Sequence, residues 1–402
     1  MRIRYSTAKN GRPVKKANVY TRDEHGINSA DVDKDAAFIV ERLRSGGYET
    51  YIVGGAVRDL ILGKKPKDFD IVSAASPTRI KKIFRNARII GRRFRLVHVY
   101  FGPKIFEVST FRSLKDGPTS NTFGTIEEDV LRRDFSLNAL FYDPHDQVVV
   151  DYVGGMKDIR GRRIRPIIPL EVIFQDDPVR MIRAVKYAAI ASFRLPLRLR
   201  WRIRAQSALL RSVSPSRLTE EILKIINSPA VARIVESLTE FGLYGYLQPE
   251  ASALMREHSG FRLRYMKTLT ELGRRIEEGP GSGEALAALV RDYLEDCVDW
   301  KADAAESYKN AFIAARKFVL PMNPPRVELD QGIRLIFGEH GIALKKARFF
   351  ERDRPGPRKK EPATEEARET GEGTGREGTR KRHRRGRASV RDSSGESPTA
   401  SV

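Results

Sequence analysis

Cysteine is almost absent. Cys297 stands alone in 402 residues, so no intrachain disulfide can form, and a reducing, cytoplasmic home is expected. Long apolar runs are missing too. No stretch approaches the roughly 18 to 20 consecutive apolar residues of a membrane span, and nothing near the start resembles a secretory h-region, so a soluble chain with no membrane partner is expected. Residues 1–22 hold seven basic side chains and no acidic one, which reads as a solvated basic arm; a transit segment would want an amphipathic repeat that this stretch lacks. Proline (21) and glycine (31) are too few for a collagen-like or wholly disordered chain. Gly-x-x-x-x-Gly-Lys-[Ser/Thr], Cys-x-x-Cys and His-Glu-x-x-His do not occur, which removes the usual signals of a Walker NTPase, structural zinc and a zincin protease.

What the chain has in excess is positive charge. Lys and Arg number 74 against 52 Asp and Glu, a net +22, and such a field gathers polyanions, nucleic acid first. At about 150 residues per domain the length predicts two to three domains. Composition and period divide it into a basic arm over 1–35, a mixed α/β region over 36–165, a helical region over 166–350 and a tail over 351–402. The tail has almost no large apolar residues and reads as disordered. Its cluster of Arg380, Lys381, Arg382, His383, Arg384, Arg385 and Arg387 suits non-specific contact with phosphates.

Within the α/β region, the pattern predicts a helix over 36–44, a strand from Tyr51 to Val53 running into Gly54-Gly55, and a helix from Ala56 to Leu62 closed by Gly63. A strand follows over Asp68 to Val72, then a hairpin of 95–101 and 105–111 around Gly102-Pro103. Helical periods take over beyond Pro169, at 178–190, 200–211, 217–227 and 230–240. Residues 197–204 alternate as a strand would, but Trp201, Ile203, Ala205, Ala208 and Leu209 continue as a helix, which is the reading taken.

Asp68 and Asp70, two apart in an extended segment, leave one face of a strand and can grip a common hard cation through oxygen. By itself this is a weak signal, since a solvated turn behind Lys64, Lys65, Pro66 and Lys67 would look the same. Gly54-Gly55, between strand and helix, lets backbone N–H groups approach a phosphate. Glu107 is a charge inside an apolar strand; it is either a buried carboxylate that needs a partner such as a metal, or an edge position facing water. Asp177 before Pro178 makes a plausible helix N-cap. Arg180 and Arg183 share a basic helical face that can look into a cleft. His98 reads as a satisfied core residue.

Ordered along the chain are Gly-Gly-Ala-Val-Arg-Asp (54–59), the run from Leu62 to Asp70, Arg132-Arg133-Asp134-Phe135-Ser136-Leu137-Asn138-Ala139, the run from Asp151 to Asp158, the run from Asp176 to Ala184, and Ser216-Arg217-Leu218-Thr219-Glu220-Glu221. In this the sequence resembles the class II nucleotidyltransferases, the family of bacterial poly(A) polymerases and CCA-adding tRNA nucleotidyltransferases, over roughly residues 48 to 330. The resemblance implies an α/β nucleotidyltransferase head, a small mixed sheet with helices, followed by an all-helical neck over 166–235 and body over 236–350. It implies two magnesium ions at Asp68 and Asp70, with Glu107 as third catalytic carboxylate. Gly54, Gly55 and Arg58 would hold the triphosphate, Arg133, Asp134 and Asn138 the ribose, and Asp177 and Arg180 the base, with Arg183 beside them. Asp176 stands where the family usually has Glu.

Residues Gly91 to Val99, with Arg92 and Arg93, resemble the segment that marks the poly(A) polymerases, and Arg316 to Arg326 resembles a stretch near the end of their body. Phe135 stands where CCA-adding relatives more often have leucine. The expected activity is template-independent addition of AMP from ATP to RNA 3′ ends, with RNA 3′ ends and ATP as partners and a monomer as the working form. The rivals are CCA addition to tRNA and an inert RNA-binding protein of the same fold.

Overall fold

The apolar run Thr50–Val53 lies at the centre of a nine-stranded sheet in the computed structural model, which describes residues 2–7, 13–91, 96–113, 122–279 and 283–344. These all belong to one unit, Met1–Lys346. The strands are β1 (Arg2–Thr7), β2 (Pro13–Tyr20), β3 (Thr50–Val53), β4 (Asp70–Ser73), β5 (Ala87–Ile90), β6 (Leu96–Phe101), β7 (Lys104–Thr110), β8 (Leu140–Asp143) and β9 (Val148–Asp151), ordered β1-β2-β9-β8-β3-β4-β7-β6-β5. Only β4 and β7 run parallel; the other neighbours are antiparallel.

Alternation sorts the central side chains between two cores. Ile52, Ile71, Tyr142 and Val149 join the large core. Tyr51, Val53, Val72, Phe141 and Val150 form a smaller one on the other side. Both faces are covered, which is why these strands read as continuous apolar runs rather than alternating ones. The Lys34–Ser45 helix is capped by Asp33, which accepts from the Asp35 and Ala36 N–H groups, and it buries Ala36, Ile39, Val40 and Leu43 at helical spacing. The Gly55–Ile61 helix ends as its sequence predicts, with Gly63 at φ +67° and the Lys64 N–H closing on Asp59 O at 2.8 Å. The β6–β7 hairpin turns at Gly102, φ +55°.

Two expectations are corrected. The start of the chain is not a solvated arm: β1 and β2 pair with each other, and β2 adds to β9 through Asn18, Val19 and Tyr20. Ala17 and Tyr20 are buried, while the basic charge meets acids of the head, Arg4 with Glu49 at 3.0 Å and Lys16 with Glu127 at 2.7 Å. The strand expected from Asp68 starts at Asp70, so Asp68 lies on the approach to β4 and strand alternation does not place it.

Beyond the sheet the described residues are mainly helical. Val179–Ala191, Leu197–Gln206, Pro215–Ile226 and Val231–Glu240 follow the predicted periods, and Ser259–Glu278, Glu284–Cys297, Ala304–Phe318 and Arg326–Glu339 complete the body. Arg92, Arg93 and the tail with its basic cluster lie outside the described residues.

Candidate active site

The β4–β7 register pairs Ile71 with Val108, which sets Asp70 beside Glu107, and Asp68 precedes Asp70 by two residues. Crowding by surrounding protein, then the charge of Glu107 and that of Asp68, push the Asp70 carboxyl above its ordinary pKa, against the opposing pull of Arg133 and Lys224. Glu107 is exposed rather than buried, its side chain 52% accessible, and it leans toward His98 across the hairpin, Oε1 to Nε2 3.5 Å. Among the described residues no three acidic, histidine or cysteine side chains already stand at metal-coordinating spacing. The trio fits hard divalent ions by donor chemistry, three carboxylates offering oxygen alone.

Gly54 adjoins Asp70. Its φ of +74° with ψ −134° is a conformation open to glycine, and a Cβ there would stand 3.6 Å from Asp70 Oδ2. One turn on, Arg58 is buried. Its Nε and Nη2 donate to Asp59 at 2.8 and 3.0 Å, its Nη1 donates to Asn138 Oδ1 at 3.1 Å, and its guanidinium lies over the Tyr187 ring at 5.2 Å.

Asn138 Nδ2 in turn donates to Asp134 Oδ1 at 3.2 Å, and Asp134 Oδ2 lies 2.9 Å from Arg183 Nη2. Arg183 reaches there from the Val179–Ala191 helix and also donates to Tyr187 OH. Burial works against its charge, but Tyr187, Asp134 and Glu221 outweigh burial and hold it above the ordinary value. Arg133 donates twice to Asp129 Oδ2, at 3.0 and 2.9 Å, and once to Asn138 O at 3.1 Å. Arg58, Arg133, Asp134, Asn138 and Arg183, five of the predicted nucleotide-binding side chains, therefore meet in one polar network.

The expected base-reading residues are held separately. Asp177 accepts from one guanidinium nitrogen of Arg217 through both its oxygens, at 2.9 and 2.8 Å, and its Oδ1 also caps the Val179 N–H at 3.2 Å. Arg180 is buried and donates to Ile173 O at 3.1 Å. Arg217 and Glu221 entered the sequence reading only as part of the run from Ser216 to Glu221, with no role given, and Lys186 and Tyr187 were not singled out. Lys186 and Glu221 form a buried ion pair at 2.5 Å between the Val179 and Pro215 helices.

The run from Asp151 to Asp158 is scaffolding. Asp151 accepts from four successive N–H groups, Val153 to Met156. Asp158 accepts from Ser136 Oγ, Arg163 and Arg165, and a Cβ on Gly155 would strike Ser136 O at 2.3 Å. These contacts fix the loop that presents Asp134 and Asn138.

Residues 50–165 match the family described as the Poly A polymerase head domain, and residues 192–255 match the Probable RNA and SrmB- binding site of polymerase A. Poly(A) polymerase I of Salmonella typhi is 42% identical over 256 residues, 60% of this chain and 55% of that one. The CCA-adding enzyme of Geobacillus thermodenitrificans is 35% identical over 246 residues, 59% of this chain and 61% of that one. The chain thus spans little more than half the length of these curated relatives. The crystal structure of the Bacillus stearothermophilus CCA-adding enzyme in complex with CTP superposes with a TM-score of 0.53 at 27% identity, covering 76% of this chain and 82% of that one. Residues 50–165 and 192–255 thus carry the head domain and the adjoining RNA-binding region of the poly(A) polymerases, on a class II nucleotidyltransferase fold.

Proposed function

We propose that the protein is a template-independent poly(A) polymerase that transfers AMP from ATP to RNA 3′ ends. The observation that carries this reading is the juxtaposition of Asp70, Glu107 and Gly54 at the head of a network that runs through Arg58, Asn138 and Asp134 to the neck. Asp68, Asp70 and Glu107 would hold two magnesium ions, which when bound lower the pKa of an RNA 3′ hydroxyl and neutralise phosphate charge. Gly54 and Gly55 leave room for a triphosphate and Arg58 supplies a fixed positive charge beside it. Asp134 and Asn138, braced by Arg133 and Arg183, would meet the ribose diol. Asp177 offers acceptors and Arg180 a donor fork, a pattern able to read an adenine edge without a template.

Adenylate rather than CCA addition is favoured by the relatives named Poly(A) polymerase I, at 38–42% identity, over those named CCA-adding enzyme, at 34–37%. The neck over 166–235 and body over 236–350 would hold the RNA backbone without reading sequence, as the net charge suggests. No described helix is long and apolar enough to cross a membrane, and a monomer working in the cytoplasm completes the reading. The test is to offer the purified protein an unstructured RNA with each nucleotide alone. Long oligo(A) products support the proposal, and C, C, A addition that stops overturns it.

A further inference from the structure

The Leu197–Gln206 helix buries Leu199 and Ile203 and leaves a large aromatic in water on its opposite side. Trp201 is 66% exposed and Leu197, one turn before it, 80%. At 100° per residue these two form a narrow apolar ridge, with Arg198 and Arg202 on one flank and Arg200 and Arg204 on the other. The helix has four arginines and no acid. Arg202 lies over the Trp201 ring at 5.8 Å. Arg200 and Arg204 are braced over Phe241, at 5.7 and 4.7 Å, and share the single carboxylate of Glu240 at 3.5 and 3.6 Å. A groove of about 600 Å³ beside the ridge adds Arg163 and Arg194. An indole held in water between two rows of guanidinium groups is suited to a polyanion that also offers flat apolar faces, which describes single-stranded nucleic acid.

We propose that this ridge is a stacking site for an unpaired base of the RNA substrate, with Trp201 against the base and Arg198 and Arg202 on the flanking phosphates. It deepens the reading given above, since it assumes that RNA is the substrate and adds where the strand is held away from the carboxylates. Duplex RNA keeps its bases stacked inside and would meet only the charge.

The test titrates the full chain with oligo(A) and with an RNA duplex of equal length while following tryptophan emission. Trp300, the second indole, is stacked on His340 at 3.9 Å and reports on the fold. Oligo(A) is expected to quench the parent and the duplex to leave it bright. Trp201→Ala should lose the quench and bind oligo(A) about tenfold more weakly, while Trp201→Phe keeps most of the affinity. Arg198→Ala and Arg202→Ala should each lower the salt slope of binding by about 0.7. Oligo(A) affinity unchanged in Trp201→Ala, or equal quenching by the duplex, overturns the inference; unchanged affinity with lost docking of a protein partner gives the ridge to that partner and overturns it too. AMP transfer by the parent is scored in parallel. Absent transfer with the quench intact refutes the polymerase reading alone, and transfer with no effect at Trp201 refutes the ridge alone.

Discussion

Asp70 and Glu107 stand one residue ahead of Ile71 and Val108 on the parallel pair of strands, so two like charges lie side by side across the β4–β7 pair. Their repulsion is part of what raises the Asp70 pKa. Asp70→Asn is therefore expected to reduce AMP transfer by about a thousandfold or more while leaving the thermal midpoint unchanged or raised, because a mutual repulsion is removed. Transfer assays beside thermal denaturation check this, and a lowered midpoint would contradict the account of the charges.

Arg217 ties the Asp177 carboxylate through both oxygens. Freed from that tie, Asp177 can turn toward other donors. Arg217→Ala is expected to lower the preference for ATP over CTP by about tenfold, the size of one charge-assisted hydrogen bond. Single-nucleotide incorporation rates with each triphosphate measure the ratio.

Lys186 and Glu221 are both buried and meet at 2.5 Å. Removing one leaves an uncompensated charge in the interior, and Lys186→Met or Glu221→Gln should each cost about 3–5 kcal/mol. The double change Lys186→Met with Glu221→Leu should recover most of that loss. Urea midpoints of the three variants decide it; equal losses in singles and double would refute the pairing argument.

His25 Nε2–H donates to Gln147 O at 3.0 Å, its Nδ1 accepts from the Ile27 N–H at 3.0 Å, and the ring meets Tyr142 edge-on at 5.7 Å. A second proton would set an N–H against the Ile27 N–H. Burial holds its pKa below 6.5, against the opposing pull of the Gln147 carbonyl. The unfolded chain binds that proton more readily, so the contribution is complete above pH 6.5 and is lost as pH falls below it. Stability profiles of the parent and of His25→Leu should differ in slope only in this acidic window.

The acids and glycines of the site were legible because each sits in a short local pattern: a glycine pair between strand and helix, an Asp-x-Asp, a charge inside an apolar strand. Partners across the fold were not. Arg217 lies 40 residues from Asp177 and Glu221 lies 35 from Lys186, and only the packing of two helices brings them together. Glu107 was open between burial and water because alternation in one strand does not reveal what covers its face. The start of the chain was misread since seven basic residues with no acidic one resemble a solvated arm until Glu49 and Glu127 are placed opposite. The Leu-Arg alternation of 197–204 mimics a strand, yet Leu199 and Ile203, four apart, share the buried side of a helix.

The contact of Arg183 with Asp134 joins a neck helix to a loop of the head, and Arg58 through Asn138 fastens the same loop to the glycine turn. A hinge at that seam would have to part Arg183 from Asp134 and lift Arg58 off the Tyr187 ring. If Asp177 and Arg180 face the nucleobase as proposed, this seam sets their distance from the carboxylates as a fixed gauge, and an incoming nucleotide would be sorted by whether it fits that span.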